Sequence, residues 1–387
     1  MPVKNRFAEL LPEIIAWRRD LHTHPELQFE THRTAAMVAD KLQMFGCDQV
    51  VPGIGRTGVV GIIKGKTDTS GKVIGLRADM DALPIHEETG VPYASQTPGV
   101  MHACGHDGHT AMLLGAAKYL TETRNFDGTV AVIFQPAEEG GGGGREMVDD
   151  GMMEQFNIAE VYGMHNWPGD PVGAFSIRPG PFFAAADVFS IRVTGRGGHA
   201  AKPHDTIDPT VIACHIVLAL QTIVSRNADP SKQIVVSLTS FETGSNADNV
   251  IPEYVDLKGT VRTLDPAMQD LAEDRMHTIV GNTATAFGGA ADLKYNRNYP
   301  VMVNSDAQTE FAAQAAQAVS GTCAAASIVM GSEDFAFMLE ARPGAYILMG
   351  NGDTAHVHNP KYDFNDDAIP AGCSWWVEIA ERRLPAA

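Results

Sequence analysis

Thr129-Val130-Ala131-Val132-Ile133-Phe134-Gln135-Pro136-Ala137-Glu138-Glu139 runs apolar without alternation for six residues and then breaks into a proline and two carboxylates. A strand with one wet face alternates apolar and polar residues. A short unbroken apolar run belongs to a strand covered on both sides, as in parallel sheets sandwiched between helices. Similar runs occur at residues 59–63, 73–76 and 161–164, separated by helical stretches such as 34–44 and 110–120. The spacing predicts an α/β fold built on a mainly parallel sheet, with residues 306–319 and 371–383 as later helices and 345–349 as a later strand.

The run 73–76 is followed by Asp79 and Asp81, the run 129–134 by Glu138 and Glu139, and the run 161–164 by His165. Ligands of open α/β sheets gather outside the carboxyl ends of the strands, so these side chains converge on one sheet edge. The pattern changes near Ala184 to strand (188–193), helix (209–225), strand (234–239), strand (254–262), helix (266–287) and strand (291–295). That order is a βαββαβ, ferredoxin-like α+β sandwich. Asp208-Pro209 and Asp265-Pro266 each read as an N-cap with proline at the first helical position. The expected organisation is a first catalytic segment 1–183, an inserted lid or dimerisation domain 184–297, and a second catalytic segment 298–387. A chain of 387 residues is long for a single core, which agrees.

The formal charge of −18 is spread along the chain and argues against nucleic acid or anionic membrane surfaces, which reward clustered Lys and Arg. Residues 1–20 lack a signal-length apolar core, and no later run is expected to approach a membrane span, so the expected compartment is the cytoplasm. The five cysteines are widely spaced and suit reduced thiols. Only Cys104 has neighbours that suggest chemistry, leaving Cys47, Cys214, Cys323 and Cys373 as core filler.

Those neighbours are dense. Met101-His102-Ala103-Cys104-Gly105-His106-Asp107-Gly108-His109 holds three imidazoles, a thiol and a carboxylate in nine residues, the usual ligand types of a divalent metal. In Glu138-Glu139, successive extended residues point opposite ways, so one carboxylate can hold a metal while the other faces a bound water. His165 gains meaning from the company of Cys104, His106 and Glu139, and His356 and His358 follow a strand whose end lies on the same edge. The five glycines at 140–144 lack the Gly-Lys-Ser/Thr of a phosphate loop and read as a flexible collar.

Six ordered motifs extend the pattern over essentially the whole chain: Leu76-Arg77-Ala78-Asp79-Met80-Asp81-Ala82-Leu83-Pro84, the segment 101–109, Gln135-Pro136-Ala137-Glu138-Glu139-Gly140, Gly163-Met164-His165, Gly195-Arg196-Gly197-Gly198-His199-Ala200 and Gly331-Ser332-Glu333-Asp334-Phe335. Together they resemble the hippurate hydrolase and N-acyl-amino-acid amidohydrolase branch of the aminoacylase and carboxypeptidase superfamily, whose catalytic domain is of the zinc-peptidase type. The resemblance implies two divalent metal ions per subunit held by Cys104, His106, Glu139, His165 and His358, with Cys104 bridging and Glu138 as general base. Asp79 and Cys104 replace a histidine and a carboxylate found outside this branch. Sulfur and imidazole favour zinc, nickel or cobalt, with manganese also open. Asp81, and in the same way Asp107, would orient a histidine ligand.

The resemblance further implies that His199 stabilises an oxyanion in the neighbouring subunit, which requires a homodimer through the inserted domain, and that Asn249 and Arg262 bind the substrate carboxylate. The implied activity is hydrolysis of N-acyl amino acids, hippurate-like or N-acetyl, to a carboxylate and a free amino acid. The alternatives are a dipeptidase or carboxypeptidase of the same superfamily, or a non-enzymatic metal- or carboxylate-binding protein. His22, His24, His109 and His204 receive no chemical role.

Overall fold

The structure, a computed structural model, describes residues 4–386. Met1, Pro2 and Val3, on which the expected absence of a leader partly rests, lie outside the described residues. The chain forms two compact units, one of residues up to Gly180, Val303–Ser327 and Asp334 onward, the other of Pro181–Met302 with Ile328–Glu333.

The larger unit begins with helices α1 (Arg6–Thr23) and α2 (His32–Phe45) and strands β1 (Gln49–Ile54), β2 (Gly58–Lys64) and β3 (Val73–Asp79). Helix α3 (His106–Thr123), strand β4 (Thr129–Gln135), helix α4 (Gly143–Asp149) and strand β5 (Ile158–Pro168) follow. Its eight-stranded sheet runs β1, β2, β4, β3, β5, Gly344–Gly352, Phe175–Ile177, Ala324–Ala325. The centre, from β4 through β3 and β5 to Gly344–Gly352, is parallel. The flanking strand β2, read from sequence as one more buried run, pairs antiparallel with both β1 and β4.

Every residue of β3 and β4 is buried, and on one face Ile74, Leu76, Ala78, Val130, Val132 and Phe134 share a core with Met112, Leu113 and Leu114 of α3 and Trp375, Trp376 and Val377 of the C-terminal helix Ile369–Arg383. Full burial on both faces is why these runs show no alternation. Two strands extend past their sequence estimates. Strand β5 continues beyond His165 to Pro168, and Gly344–Gly352 covers more than residues 345–349.

In the second unit, an all-antiparallel sheet runs Ile234–Thr243, Tyr254–Thr263, Ala185–Thr194, Ala290–Tyr299. In chain order that is second, third, first, fourth. Along Ala185–Thr194, Phe189, Ile191 and Val193 are buried while Val188, Arg192 and Thr194 are exposed. The buried set shares a core with Ile212, Ile216 and Leu220 of helix Pro209–Thr222 and Met276 and Val280 of helix Pro266–Ala286. Both caps form: Asp208 accepts from the Thr210 amide at 2.8 Å and Asp265 from the Ala267 amide at 2.9 Å.

Three sequence expectations are corrected. The stretch Pro209–Asn227 is long and apolar enough, by length and composition, to cross a membrane, although no run was expected to approach that size. Its apolarity is partly that of a helix packed on a sheet, and Val211, Leu218 and Val224 remain exposed. Of the four cysteines expected as core filler, Cys373 is buried, Cys47 and Cys323 are half-buried, and Cys214 is exposed on that same helix. Of the glycines 140–144, expected as a flexible collar, Gly140 is exposed in open space but Gly143 and Gly144 are packed: a Cβ on Gly143 would collide with the Pro136 carbonyl, and the Gly144 amide donates to Asp334 at 2.8 Å.

Candidate metal centre

The donor atoms of Cys104, His106 and His165 lie within 4.8 Å of one another, as do those of Cys104, Glu139 and His358, and those of His106, Glu138 and Glu139. Shared members link these groups into one cluster at the carboxyl end of the parallel strands. Cys104 Sγ is 3.4 Å from His165 Nε2, and His358 Nε2 is 3.1 Å from Glu139 Oε1.

Local structure aims each arm. Gly105, at φ +88°, turns the chain into α3, so that His106 opens the helix directly after Cys104. His106 Nδ1 donates to the Asp81 carbonyl at 2.8 Å, and His165 Nδ1 donates to the Asn166 carbonyl at 2.6 Å. Because both partners are carbonyl oxygens, both Nδ1 atoms carry a proton, and it is Nε2 that offers the lone pair whenever the ring is neutral. Asp81 reaches further: its two carboxylate oxygens accept the amides of Glu138 and Glu139, each at 3.0 Å. Those glutamates lie in a turn rather than an extended segment, entered through Ala137 at φ +53°. Their side chains therefore meet beside His106 and do not diverge as an extended pair would. His358 also adopts a left-handed backbone, φ +65°, with its amide bonded to the Ala103 carbonyl at 2.7 Å, and its ring stays about half exposed.

The electrostatics suit a cation. Burial opposes charge on His106, yet Asp79, Asp81 and Glu139 outweigh it and lift this imidazole to about 10. Burial, followed by Glu139, Glu138 and Asp79, pushes the Cys104 thiol well above its ordinary range. His106 Nε2 is buried without a hydrogen-bond partner among the described residues, and buried polar atoms are rarely left so. Thiolate, imidazole lone pairs and carboxylate are the donor set of zinc-type ions, so these residues fit a bound divalent metal.

Asp107 does something other than orient a ligand. Its Oδ2 pairs with His22 Nδ1 at 2.8 Å and lies 3.5 Å from Arg18, both from α1. His22, given no role from sequence, thus anchors α1 to the first turn of α3. His109, likewise passed over, is buried, with Nδ1 2.6 Å from Asp79 Oδ1 and Nε2 accepting the Asn166 amide at 2.9 Å. Arg77, wholly buried at 0% exposure, binds Gln135, Asp79 and Asp334 at 2.8, 2.7 and 3.0 Å. A charged residue inside an otherwise apolar strand was the available signal for this network.

His199 and Asn249 lie in the second unit. His199 pairs with Val250 in the two-stranded ribbon Gly198–His199 with Val250–Ile251, and the Ala200 amide donates to the Asn249 carbonyl at 3.0 Å. Both residues are exposed. Gly197 allows the ribbon to close, since a Cβ there would meet the Ile251 carbonyl at 2.6 Å. Arg262 stands between Ala186 and Val235 in the four-stranded sheet, half-buried, with Nη1 unpartnered.

Comparison with known proteins agrees with this geometry. Residues 75–382 match the model of peptidase family M20/M25/M40. The chain is 42% identical to a hippurate hydrolase of Campylobacter jejuni over 97% of this chain and 99% of that protein. It is 43% identical to an N-acyl-L-amino acid amidohydrolase of Geobacillus stearothermophilus over 79% and 81%. Among solved structures, the YXEP protein of Bacillus subtilis, described as a dinuclear metal binding peptidase from the M20 family, superposes with TM-score 0.85 at 33% identity, covering 98% of this chain and 100% of that one. By that family match and those identities, the chain belongs to peptidase family M20/M25/M40.

Proposed function

We propose that the protein is a metal-dependent amidohydrolase that cleaves N-acyl amino acids to a carboxylate and a free amino acid. The observation that carries this reading is the convergence of Cys104, His106, Glu139, His165 and His358 on one largely buried cluster with Glu138 beside it. The names of the relatives point to the same bond. Two divalent cations, when bound, supply Lewis-acid polarisation of the acyl carbonyl and lower the pKa of a water toward about 7.

The chain supplies the proton handling and the grip. Glu138, its amide tethered to Asp81, takes the proton from the attacking water and passes it to the amide nitrogen as the C–N bond breaks. Asp81 holds His106 and both glutamates through one carboxyl residue, so these three move as a unit. Arg262 and Asn249 hold the substrate's free carboxylate, a task suited to the planar guanidinium fork. His199 donates to the developing oxyanion, a contact of the kind worth roughly 3 kcal/mol.

In this reading His199 serves the neighbouring subunit, so the active form is a homodimer joined through the second unit. Exposed Val211, Leu218 and Val224 on one helix, and Val235 and Phe241 on the edge strand Ile234–Thr243, support such an interface. The soft donors favour zinc, nickel or cobalt, with manganese also compatible. The free thiols suit the cytoplasm.

The test is turnover of hippurate, N-acetyl amino acids and a dipeptide panel, paired with metal analysis. Acyl amino acids should be hydrolysed fastest, with activity lost on chelation and restored by a divalent cation. Faster dipeptide cleavage would overturn the substrate assignment, and activity that survives chelation and dialysis would overturn the metal.

A further inference from the structure

We propose that Asn166 is the positioning residue that fixes Cys104 and His165 relative to each other, and that a buried relay from Arg77 through Asp79 to His109 holds Asn166 in its working orientation. The proposal rests on the reading of the cluster as a metal centre. Arg77 Nη1 binds Asp79 Oδ2 at 2.7 Å, and the other Asp79 oxygen takes the Nδ1 proton of His109 at 2.6 Å. With Nδ1 protonated, His109 Nε2 is left as an acceptor. Its single lone pair is shared by two Asn166 donors, the backbone amide at 2.9 Å and side-chain Nδ2 at 3.0 Å.

The rest of Asn166 is equally committed. Nδ2 donates its second proton to the Cys104 carbonyl at 2.6 Å, Oδ1 accepts from the Tyr362 hydroxyl at 2.7 Å, and the backbone carbonyl accepts from His165 Nδ1 at 2.6 Å. Exchanging the two ends of the side-chain amide would set oxygen against the Cys104 carbonyl and against the His109 lone pair, so only one orientation is satisfied. Asp79, His109, Asn166 and Tyr362 are each at most 1% exposed, and water cannot substitute for a lost partner at such sites without a cavity to hold it. Gly105 leaves the space: a Cβ there would collide with both Asn166 Nδ2 and the Tyr362 hydroxyl. One residue therefore fixes the backbone that bears Cys104 through its side-chain amide and, through its backbone carbonyl, the tautomer and direction of the His165 ring. Partners of this kind typically change metal affinity by roughly 10–100-fold when removed.

Cobalt(II) is the probe, because a cobalt–thiolate bond gives a charge-transfer absorption that reports Cys104 directly. Metal-stripped parent, Asn166→Asp and Tyr362→Phe are titrated with cobalt chloride, with circular dichroism confirming the folded state. Asn166→Asp should bind cobalt roughly 10–100-fold more weakly with a displaced band, and Tyr362→Phe should change both in the same direction by less. A parent without a thiolate band would overturn the centre itself. A parent with the band and two variants indistinguishable from it would overturn the role of Asn166. Should Asn166→Asp fail to fold, Tyr362→Phe decides alone: a weakened, displaced band supports the proposal and a parental one overturns it.

Discussion

In the larger unit the candidate centre is built from side chains that are anchored by buried neighbours, whereas in the second unit His199 and Asn249 stand on a short ribbon in contact with solvent. His106, Glu138 and Glu139 are all held by Asp81, and His165 by Asn166. Among the described residues, the His199 ring receives the Ala201 amide at its Nδ1, 3.1 Å away, and no other hydrogen bond. The difference teaches that the two regions supply different things. A cluster that gathers carboxylates and a thiol must be rigid to hold their charges together, while a ribbon that meets a substrate or a second subunit gains its definition when that partner arrives.

The sharpest way to break the contrast is Glu138→Gln, which leaves the anchoring amide intact and removes only the proton carrier. Turnover should fall roughly 10³-fold, and metal content measured on the same sample should stay at the parental level. Loss of metal together with activity would mean that Glu138 is one of the ligands.

His199→Ala tests the ribbon in the same terms, with an expected loss of about 10²-fold in kcat. Mixed with Glu138→Ala and allowed to exchange subunits, it should recover activity, since one site of each hybrid dimer would be whole. Absence of recovery counts against sharing of sites between subunits.

Anchoring by buried neighbours can be probed through pH. Burial lowers the affinity of His22 for its proton, but Asp107 and Glu87 outweigh it and raise this histidine to about 9. A group whose folded pKa lies above its unfolded value of about 6.5 stabilises fully below that pH and loses the contribution as pH climbs toward the folded value. Between about pH 6.5 and 8 the metal-stripped protein should lose about 2 kcal/mol from this source, read by urea unfolding, and the slope of His22→Ala should be shallower by that amount, with the contribution of the likewise raised His106 left in place. An identical slope in the variant would show that Asp107 is held by Arg18 alone.

The smallest effect is expected at Arg262. Arg262→Lys keeps the charge and discards the fork, so KM for acyl amino acids should rise about tenfold with little change in kcat. An unchanged KM would remove Arg262 from substrate binding and leave it as a partner of Asp187, whose charge acts on it in the structure.

Much of this was legible along the chain. Unalternating runs such as residues 129–134 identify buried strands because burial on both faces leaves no position for a polar side chain, and the two Asp-Pro pairs mark helix starts because capping is a property of adjacent residues. The second unit's six elements follow their expected order, since its exposed sheet face imposes alternation. The ligand types in 101–109 announced themselves by density alone. The antiparallel setting of β2 was not legible, because a run buried from both sides looks the same in either direction. Neither was the Glu138-Glu139 turn, where the left-handed Ala137 and the Asp81 carboxylate override the extended geometry expected after a strand.

Residue order by itself determined which side chains stand at strand ends and which family signature they form, since both are read within a few positions of the chain. Only the tertiary structure decided that Asp107 serves His22, that His109 serves Asn166, and that Gly143 and Gly144 are packed rather than loose. Those outcomes depend on groups 57 and 85 positions apart meeting in a space without water, where each donor must find whichever acceptor the fold has brought near.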